Sequence, residues 1–165
     1  MAFGAVFTAL SVLFLWAGNV IETLDASLAV LASLVIFVAL IEFKKGLALL
    51  VWLASSVLSL LLNPMNSAAW LFLLFLGWYP VFKQRIEQIH YVFSWCVKVS
   101  AFNVSTFLYW LVFSKVLNLP FEETGILLTA LWLGANLVFI LYDLLMTRMI
   151  TLYIFRWRKL LGFRD

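Results

Sequence analysis

The chain has 165 residues, of which 66% are hydrophobic and 12% are charged, and its mean hydropathy is +1.11. This composition excludes an ordinary soluble domain, in which about half of the residues are apolar and about a quarter are charged. We therefore expect an integral membrane protein. The net charge of +3 is better suited to anionic lipid headgroups than to nucleic acid, because the basic residues cluster beside apolar stretches.

Six apolar stretches follow one another along the chain, each about long enough to cross the hydrocarbon core of a bilayer as a helix. The gaps between them are short and leave no room for an extramembrane domain. The sequence therefore predicts an all-α integral membrane protein, a compact bundle of six transmembrane helices with short loops, forming a single transmembrane domain over residues 1–165. The six stretches are Phe3–Val20, Ala26–Ile41, Gly46–Leu62, Ser67–Phe82, Tyr91–Phe113 and Gly125–Thr147.

Nine of the eleven Lys and Arg residues fall in every second gap. The second, fourth and sixth stretches are followed by Lys44 and Lys45, by Lys83 and Arg85, and by Arg148, Arg156, Arg158, Lys159 and Arg164. The alternate gaps hold Glu22 and Asp25, then the uncharged run Asn63-Pro64-Met65-Asn66, then Lys115, Glu122 and Glu123. Cytoplasmic loops carry the excess of Lys and Arg. We therefore expect a multi-pass protein of the cell membrane with both termini in the cytoplasm.

The last apolar stretch carries a stripe of polar residues. Thr129, Asn136 and Asp143 recur every seven residues, with Thr147 one turn further on, so they share one helix face. A carboxylate at membrane depth requires a partner or a proton. Lys98 is the predicted intramembrane ion-pair partner of Asp143, and Arg148 is the competing one. The pair is either a structural clamp or part of a proton relay or substrate-coupled switch.

The fifth stretch carries hydrogen-bonding side chains in the half predicted to lie nearer the outside. Asn103, Thr106 and Trp110 share one side of that helix, and Ser105 and Tyr109 lie on an adjoining side. Such groups serve either as contacts between helices or as contacts to a ligand. Among the tryptophans outside the expected interfacial belts, Trp110 is the one we expect beside a ligand pocket.

The first stretch begins with small residues. Ala2, Ala5 and Ala9 follow a helical spacing with Gly4 beside them, which makes a smooth face where another helix can approach closely. The face serves either internal packing or the docking of a second membrane protein.

Catalytic motifs are absent from the sequence. His90 is the only histidine and has no acidic cluster around it, and Cys96 is the only cysteine, so no internal disulfide or thiol-based metal site can form. No nucleophile elbow, zinc-binding helix motif or glycine-rich phosphate loop occurs. We expect neither an enzyme nor a bound cofactor or metal.

The chain resembles the substrate-binding S component of energy-coupling factor vitamin transporters. The resemblance covers most of the chain and is based on its length, its predicted topology and its basic cytoplasmic tail. It also includes the Ala5-x-x-x-Ala9 motif and the short hairpin across Lys44-Lys45-Gly46. In that family the Ala-x-x-x-Ala face docks on the transmembrane coupling subunit, so the resemblance implies that role for Ala5 and Ala9.

The resemblance also implies a small-molecule pocket that opens outward, among the helix ends and outer loops. The candidate ligand-binding residues are Asn19, Glu22, Asp25, Asn63, Asn66, Asn103, Trp110 and Glu122. The leading hypothesis is a vitamin-like ligand-binding subunit of a multi-protein importer, surrounded by membrane lipid and joined to a membrane protein partner.

The rival hypothesis is a membrane scaffold or assembly partner without a small-molecule ligand. The predicted outer loops are short and carry no recognisable substrate signature, and rod-shape proteins of the MreD type have a similar length and helix number. A third alternative is a different membrane family that shares the same architecture.

Overall fold

A computed structural model of the chain describes residues 2–43, 45–117 and 125–152, and the regular elements in these ranges are all helical. This confirms the predicted all-α class. The chain divides into two compact units, Met1–Pro120 and Phe121–Asp165, which we describe separately.

Among the described residues, six α-helices lie in the first unit and one lies in the second. In the first unit, α1 spans Ala2–Val20, α2 Asp25–Glu42, α3 Lys45–Leu62, α4 Ser67–Leu71, α5 Tyr79–Ile86 and α6 Tyr91–Leu111; in the second, α7 spans Gly125–Leu152. A 3₁₀ turn at Glu22–Leu24 precedes α2, and π-helical turns follow α4 at Phe72–Leu76 and α6 at Val112–Val116.

Within the described ranges, five helical segments are long and apolar enough to cross a membrane. They are Phe3–Val20, Asp25–Glu42, Lys45–Leu62, Tyr91–Lys115 and Thr129–Met149. They correspond to the first, second, third, fifth and sixth predicted stretches. The α3 helix ends at Leu62, directly before Asn63-Pro64. Proline has no backbone N–H to donate, and its ring disfavours helical geometry in the preceding residue, so a helix usually ends at such a position.

The fourth predicted stretch, Ser67–Phe82, is helical along most of its length but is not one continuous α-helix. The π-helical turn Phe72–Leu76 and the turn at residues 77 and 78 separate α4 from α5. The Gly77 backbone nitrogen donates to the Phe72 carbonyl oxygen at 2.8 Å, which is the i to i+5 bond that defines a π-turn. Single π-turns of this kind occur often at functional sites.

The π-turn positions a carbonyl group that holds α6. The Leu74 carbonyl oxygen accepts from Trp78 Nε1 at 2.7 Å and from the Ser105 hydroxyl of α6 at 3.0 Å. Backbone groups at membrane depth need such partners because lipid supplies none. The irregular turn is therefore also an attachment point between α4 and α6.

The core of the first unit is centred on the α4–α5 segment. Tyr79, Phe72, Phe75 and Lys83 are among the largest fully buried side chains, and Phe75 contacts the rings of Tyr79 and Phe102 at centroid distances of 4.8 and 5.3 Å. The segment also packs against α2 and α3. This burial explains how an interrupted helix is tolerated there.

The first helix packs along both α2 and α3 through one stripe. Ser11, Leu15 and Gly18 are its buried positions. A Cβ placed on Gly18 would lie 3.1 Å from the Ala68 Cβ, so glycine allows α1 to approach α4 closely. The opposite side of α1 is exposed.

Candidate functional site: an amide-lined cavity and a buried charged cluster

A cavity of about 280 Å³ lies where the ends of α1 and α3 meet the connection to α4. Three of its residues, Asn19, Asn63 and Asn66, are candidates predicted from the sequence. The full lining is Trp16, Asn19, Ser59, Leu62, Asn63 and Asn66. It combines amides, a hydroxyl, an indole ring and an aliphatic side chain, and none of these six side chains carries a charge.

Two hydrogen bonds of the Asn63 side chain fix the cavity wall between α1 and α3. Asn63 Nδ2 donates to Asn19 Oδ1 at 2.7 Å, which ties the end of α3 to the end of α1. Asn63 Oδ1 accepts from the Met65 backbone nitrogen at 3.0 Å, so it also shapes the turn after α3. The amide positions are thus fixed by the loop that they stabilise.

Asn66 lines the cavity directly before the start of α4. Its Oδ1 accepts from the Ala69 backbone nitrogen at 3.1 Å, which caps the start of α4, and its Nδ2 donates to the Leu15 carbonyl oxygen at 3.0 Å. Asparagine is a favoured N-cap because its side chain satisfies a backbone N–H that the helix leaves unpaired. Asn66 therefore has a structural role, because its side chain joins α1 to α4.

Asp25 lies close to this region but does not line the cavity. It begins α2, where the positive end of the helix dipole favours a carboxylate, and its Oδ2 accepts from the Ser67 hydroxyl. Its Oδ1 is buried and makes no hydrogen bond within the described part of the chain. The Asp25–Ser67 contact joins α2 to the first residue of α4.

Ser59 is one of three cavity residues, with Trp16 and Leu62, that were not predicted from the sequence as ligand-binding residues. Its side chain is 2% exposed, it lines the cavity, and its hydroxyl makes no hydrogen bond to any described residue. A hydroxyl without a protein partner at the wall of a polar cavity is suited to contact a ligand or water. A serine inside an apolar helix gives little signal in the sequence, because most such hydroxyls bond to their own helix.

The other ligand-binding candidates lie elsewhere or outside the description. Asn103 and Trp110 are on α6 and do not line the cavity; Asn103 Nδ2 donates to the Val99 carbonyl oxygen at 2.8 Å, and Trp110 stacks on Phe107 at 6.0 Å. Glu22 lies in the 3₁₀ turn, and its side chain is outside the description. Glu122 lies outside the described residues.

Both alanines of the proposed docking face are exposed on α1. Ala5 and Ala9 lie on the side opposite Ser11, Leu15 and Gly18, which pack internally. Contact with the rest of this chain therefore leaves the Ala5 and Ala9 side chains accessible to lipid or to another protein.

A second candidate site contains two buried lysines that share one carboxylate. Glu87 Oε1 lies 3.0 Å from Lys83 Nζ and 2.8 Å from Lys98 Nζ. Lys83 and Lys98 are 1% and 3% exposed, and the Glu87 side chain is 38% exposed. The arrangement joins the end of α5 to α6, and we call these three residues the lysine–glutamate cluster.

Each ammonium group of this cluster lies near the face of an aromatic ring. Lys83 Nζ lies 6.0 Å from the centre of the Tyr79 ring, and Lys98 Nζ lies 5.1 Å from the centre of the Trp95 ring. Ring faces attract cations and partly replace the lost water. Burial of an ammonium group lowers the stability of the fold unless nearby groups compensate for the lost hydration. The carboxylate and the ring faces provide that compensation here.

Lys83 entered the sequence-based prediction only as a marker of topology, and no role was predicted for Glu87. The available signal was their spacing, since Lys83 and Glu87 are four residues apart and therefore face each other on a helix. Lys98 was predicted to pair with Asp143. Because Asp143 is on α7, in the other compact unit, this pairing stays a prediction, as does the competing role of Arg148.

Three side chains of the polar stripe on α7 donate hydrogen bonds to carbonyl oxygens of the same helix. The hydroxyls of Thr129 and Thr147 donate to the carbonyl oxygens of Gly125 and Asp143, each at 3.0 Å. Asn136 Nδ2 donates to the Trp132 carbonyl oxygen at 3.0 Å. These back-bonds are the usual way for a polar side chain to be satisfied on a membrane helix.

Within the described ranges, no group of three or more His, Cys, Asp or Glu residues could hold a metal ion.

Comparison with known proteins adds no family assignment: no protein-family model, no curated protein and no solved structure matches this chain.

Proposed function

We propose that the chain is a membrane protein of six crossings that binds a small molecule in its outer cavity, as the ligand-binding subunit of a multi-protein importer. The observation that carries the proposal is the cavity formed by Asn19, Ser59 and Asn63. Its polar groups converge on one space, as they do in binding sites for small molecules.

The position of the cavity supports an outward opening. It lies at the α1–α3 ends, next to the connection Asn63-Pro64-Met65-Asn66, which the charge pattern assigns to the outside. The volume of about 280 Å³ is near the lower end of the range for ligand pockets, about 300–1,000 Å³. A small ligand with both an apolar face and hydrogen-bonding groups suits the Trp16 ring and the amides.

Six crossings require the α4–α5 segment to span the membrane despite its interruption. Irregular backbone is tolerated at membrane depth where protein surrounds it. The burial of Phe72, Phe75 and Tyr79 and the bonds to the Leu74 carbonyl are consistent with this requirement. An even number of crossings puts both termini on one side of the membrane, and the distribution of Lys and Arg favours the cytoplasmic side.

The exposed face at Ala5 and Ala9 supports a protein partner. Small side chains allow two helices to approach closely in a membrane, and Ala5 and Ala9 are exposed in the part of the chain that the structure describes. A coupling subunit of an importer would use this face, and so would a scaffold complex. The cavity therefore distinguishes the two functions.

The test uses the full chain purified in detergent. Native mass spectrometry should detect a retained small molecule, and thermal unfolding with a panel of water-soluble vitamins, nucleobases and sugars should reveal a compound that raises the melting temperature. Asn19→Leu should abolish the response. Asn103→Leu is the matched control and should retain it, because Asn103 does not line the cavity.

The opposite outcome favours the scaffold. If no compound is retained or stabilises the chain, and a membrane protein co-purifies at fixed stoichiometry, the ligand-binding proposal is wrong. Equal loss of binding in Asn19→Leu and Asn103→Leu would instead show that the ligand binds outside this cavity.

A further inference from the structure

Three serines on two adjacent helices have buried hydroxyls without protein partners. Ser11 lies on α1, and Ser55 and Ser59 lie on α3; each is at most 2% exposed. Their Oγ atoms make no hydrogen bond within the described ranges of the chain. Buried polar groups in folded proteins nearly always have a partner, either protein or ordered water, so these three hydroxyls require an explanation.

Nearby hydroxyls on the same helices and on α2 do form the usual hydrogen bond to a carbonyl oxygen three or four residues earlier in their own helix. Thr8 donates to the Gly4 carbonyl oxygen at 2.9 Å, Ser33 to that of Val30 at 2.7 Å, and Ser56 to that of Trp52 at 2.8 Å. Ser55 and Ser59 are on the same helix as Ser56 and yet do not bond in this way. The contrast within one helix excludes a general effect of helix geometry.

The register of α1 against α3 brings the three serines to one interface. The two helices run parallel, since a Cβ on Gly4 would lie 3.5 Å from Leu47 Cδ1 near one end, and Asn19 bonds to Asn63 at the other. Carrying the same register inward places Ser11 level with Ser55. Ser11 also lies one heptad from Gly4, on the stripe of α1 that meets α3.

Ser59 connects this interface to the cavity. It lines the cavity together with Asn19 and Asn63, and Ser55 lies one helical turn further in. From Asn19 to Ser11 the distance along α1 is about 12 Å, at about 1.5 Å per residue. The serines thus form a series that begins at the cavity wall and leads towards the middle of the α1–α3 pair.

We propose that the cavity continues inward between α1 and α3 as a water-binding track, in which the hydroxyls of Ser59, Ser55 and Ser11 hold ordered water. A buried water makes about three hydrogen bonds, and it occupies sites where protein groups are otherwise unpaired. At membrane depth lipid offers no alternative partner. The track depends on the geometry of α1 and α3 and needs no ligand in the cavity, so it goes beyond the proposed function.

The track gives the outer cavity a polar floor. A solute in the cavity would meet hydrated hydroxyls below it instead of closely packed aliphatic side chains, and its polar groups would lose less hydration on entry. Water would then reach the level of Ser11 from the cavity side.

The experiment measures thiol reactivity at single positions. Ser11→Cys, Ser55→Cys and Ser59→Cys are made in a Cys96→Ser background, reconstituted in liposomes and treated with a small, water-soluble methanethiosulfonate reagent. The reacting species is the thiolate, which forms where water is present. Ser33→Cys and Ser56→Cys are the controls, because these serines are also fully buried but are bonded to their own helices.

We expect the three track cysteines to react at least tenfold faster than the two controls, with rates that fall from Ser59→Cys through Ser55→Cys to Ser11→Cys. A bulkier reagent should react only at Ser59→Cys. Equal rates at Ser55→Cys, Ser11→Cys and the controls would overturn the proposal.

A second pair of variants tests the track if a cysteine variant does not fold. With water bound, Ser55→Ala removes a hydrogen bond and should lower the melting temperature at least as much as Ser56→Ala does. In a dry interface, Ser55→Ala removes an unpaired hydroxyl and raises the melting temperature above that of Ser56→Ala. That result would overturn the track and leave ligand binding in the cavity unaffected.

Discussion

Glu87 and Lys98 join the end of α5 to α6 through an ion pair of 2.8 Å between Oε1 and Nζ, and the same oxygen lies 3.0 Å from Lys83 Nζ. Both ammonium groups are buried, whereas the carboxylate is partly exposed. Glu87 therefore places one negative charge next to two buried ammonium groups. Removal of Glu87 should consequently cost more than removal of an ordinary exposed carboxylate.

We predict that Glu87→Gln lowers the free energy of unfolding in detergent by about 1–3 kcal/mol, because it removes charge-assisted bonds to two buried lysines. The exposure of Glu87 keeps the loss below that of a fully buried pair. Arg85→Gln, on an exposed residue of the same helix, is the control and should change stability by less than about 0.5 kcal/mol. Equal effects of the two substitutions would contradict the role assigned to Glu87.

The helices could be predicted because they depend on local sequence, and the grouping of Asn19, Asn63 and Asn66 was implied by the family resemblance, which places helix ends and outer loops around one pocket. Long apolar runs form helices at membrane depth, and polar residues at consecutive helix ends on one side lie near one another. The break between α4 and α5 depends instead on tertiary packing, because the Trp52 ring of α3 packs directly against the Gly77 backbone. The roles of Ser59 and Glu87 could not be predicted for a similar reason. The Ser59 hydroxyl makes no hydrogen bond to any described residue and the Glu87 carboxylate pairs with Lys98, and both facts depend on how neighbouring helices pack.

The predicted Asp143–Lys98 pair can be separated from the observed Glu87–Lys98 pair by two double-mutant cycles. Asp143→Asn and Lys98→Met should each lower the melting temperature, and their combination should recover a substantial part of the loss, because removing both partners leaves no uncompensated charge. The cycle of Lys98→Met with Glu87→Gln should also be non-additive. Simple addition in the first cycle would eliminate the Asp143 pairing and favour Arg148 as its partner.

The proposed topology predicts which exposed positions can be labelled from outside the cell. Met65, between α3 and α4, and Gln84, on α5, are both exposed. In a Cys96→Ser background, Met65→Cys should react with an impermeant thiol reagent on intact cells, whereas Gln84→Cys should react only after the membrane is opened. The reverse pattern would exclude six crossings with both termini inside.

The exposed face of α1 predicts a separation between folding and partner binding. Ala5→Trp combined with Ala9→Trp should leave the melting temperature of the isolated chain within a few degrees, since both side chains are exposed, but should block close approach of a partner helix. Co-purification with the membrane partner measures the second effect. Gly18→Leu is the comparison on the internal face and should destabilise the isolated chain, because a Cβ there already lies 3.1 Å from Ala68.

Gly77 should be the least replaceable glycine among those described. A Cβ at this position would overlap the Trp52 ring, lying 2.6 Å from Trp52 Nε1 and 2.9 Å from the Phe72 carbonyl oxygen. Gly77→Ala should therefore lower the free energy of unfolding by about 1–3 kcal/mol or more through overpacking. Gly46→Ala is the control, since nothing lies within 4 Å of its added Cβ, and it should not destabilise the chain. Trp52→Leu should relieve the clash, so the double variant with Gly77→Ala should lose less stability than the sum of the two single losses. Strict additivity in thermal unfolding would show that the Trp52 ring does not impose glycine at the junction of the π-turn and α5.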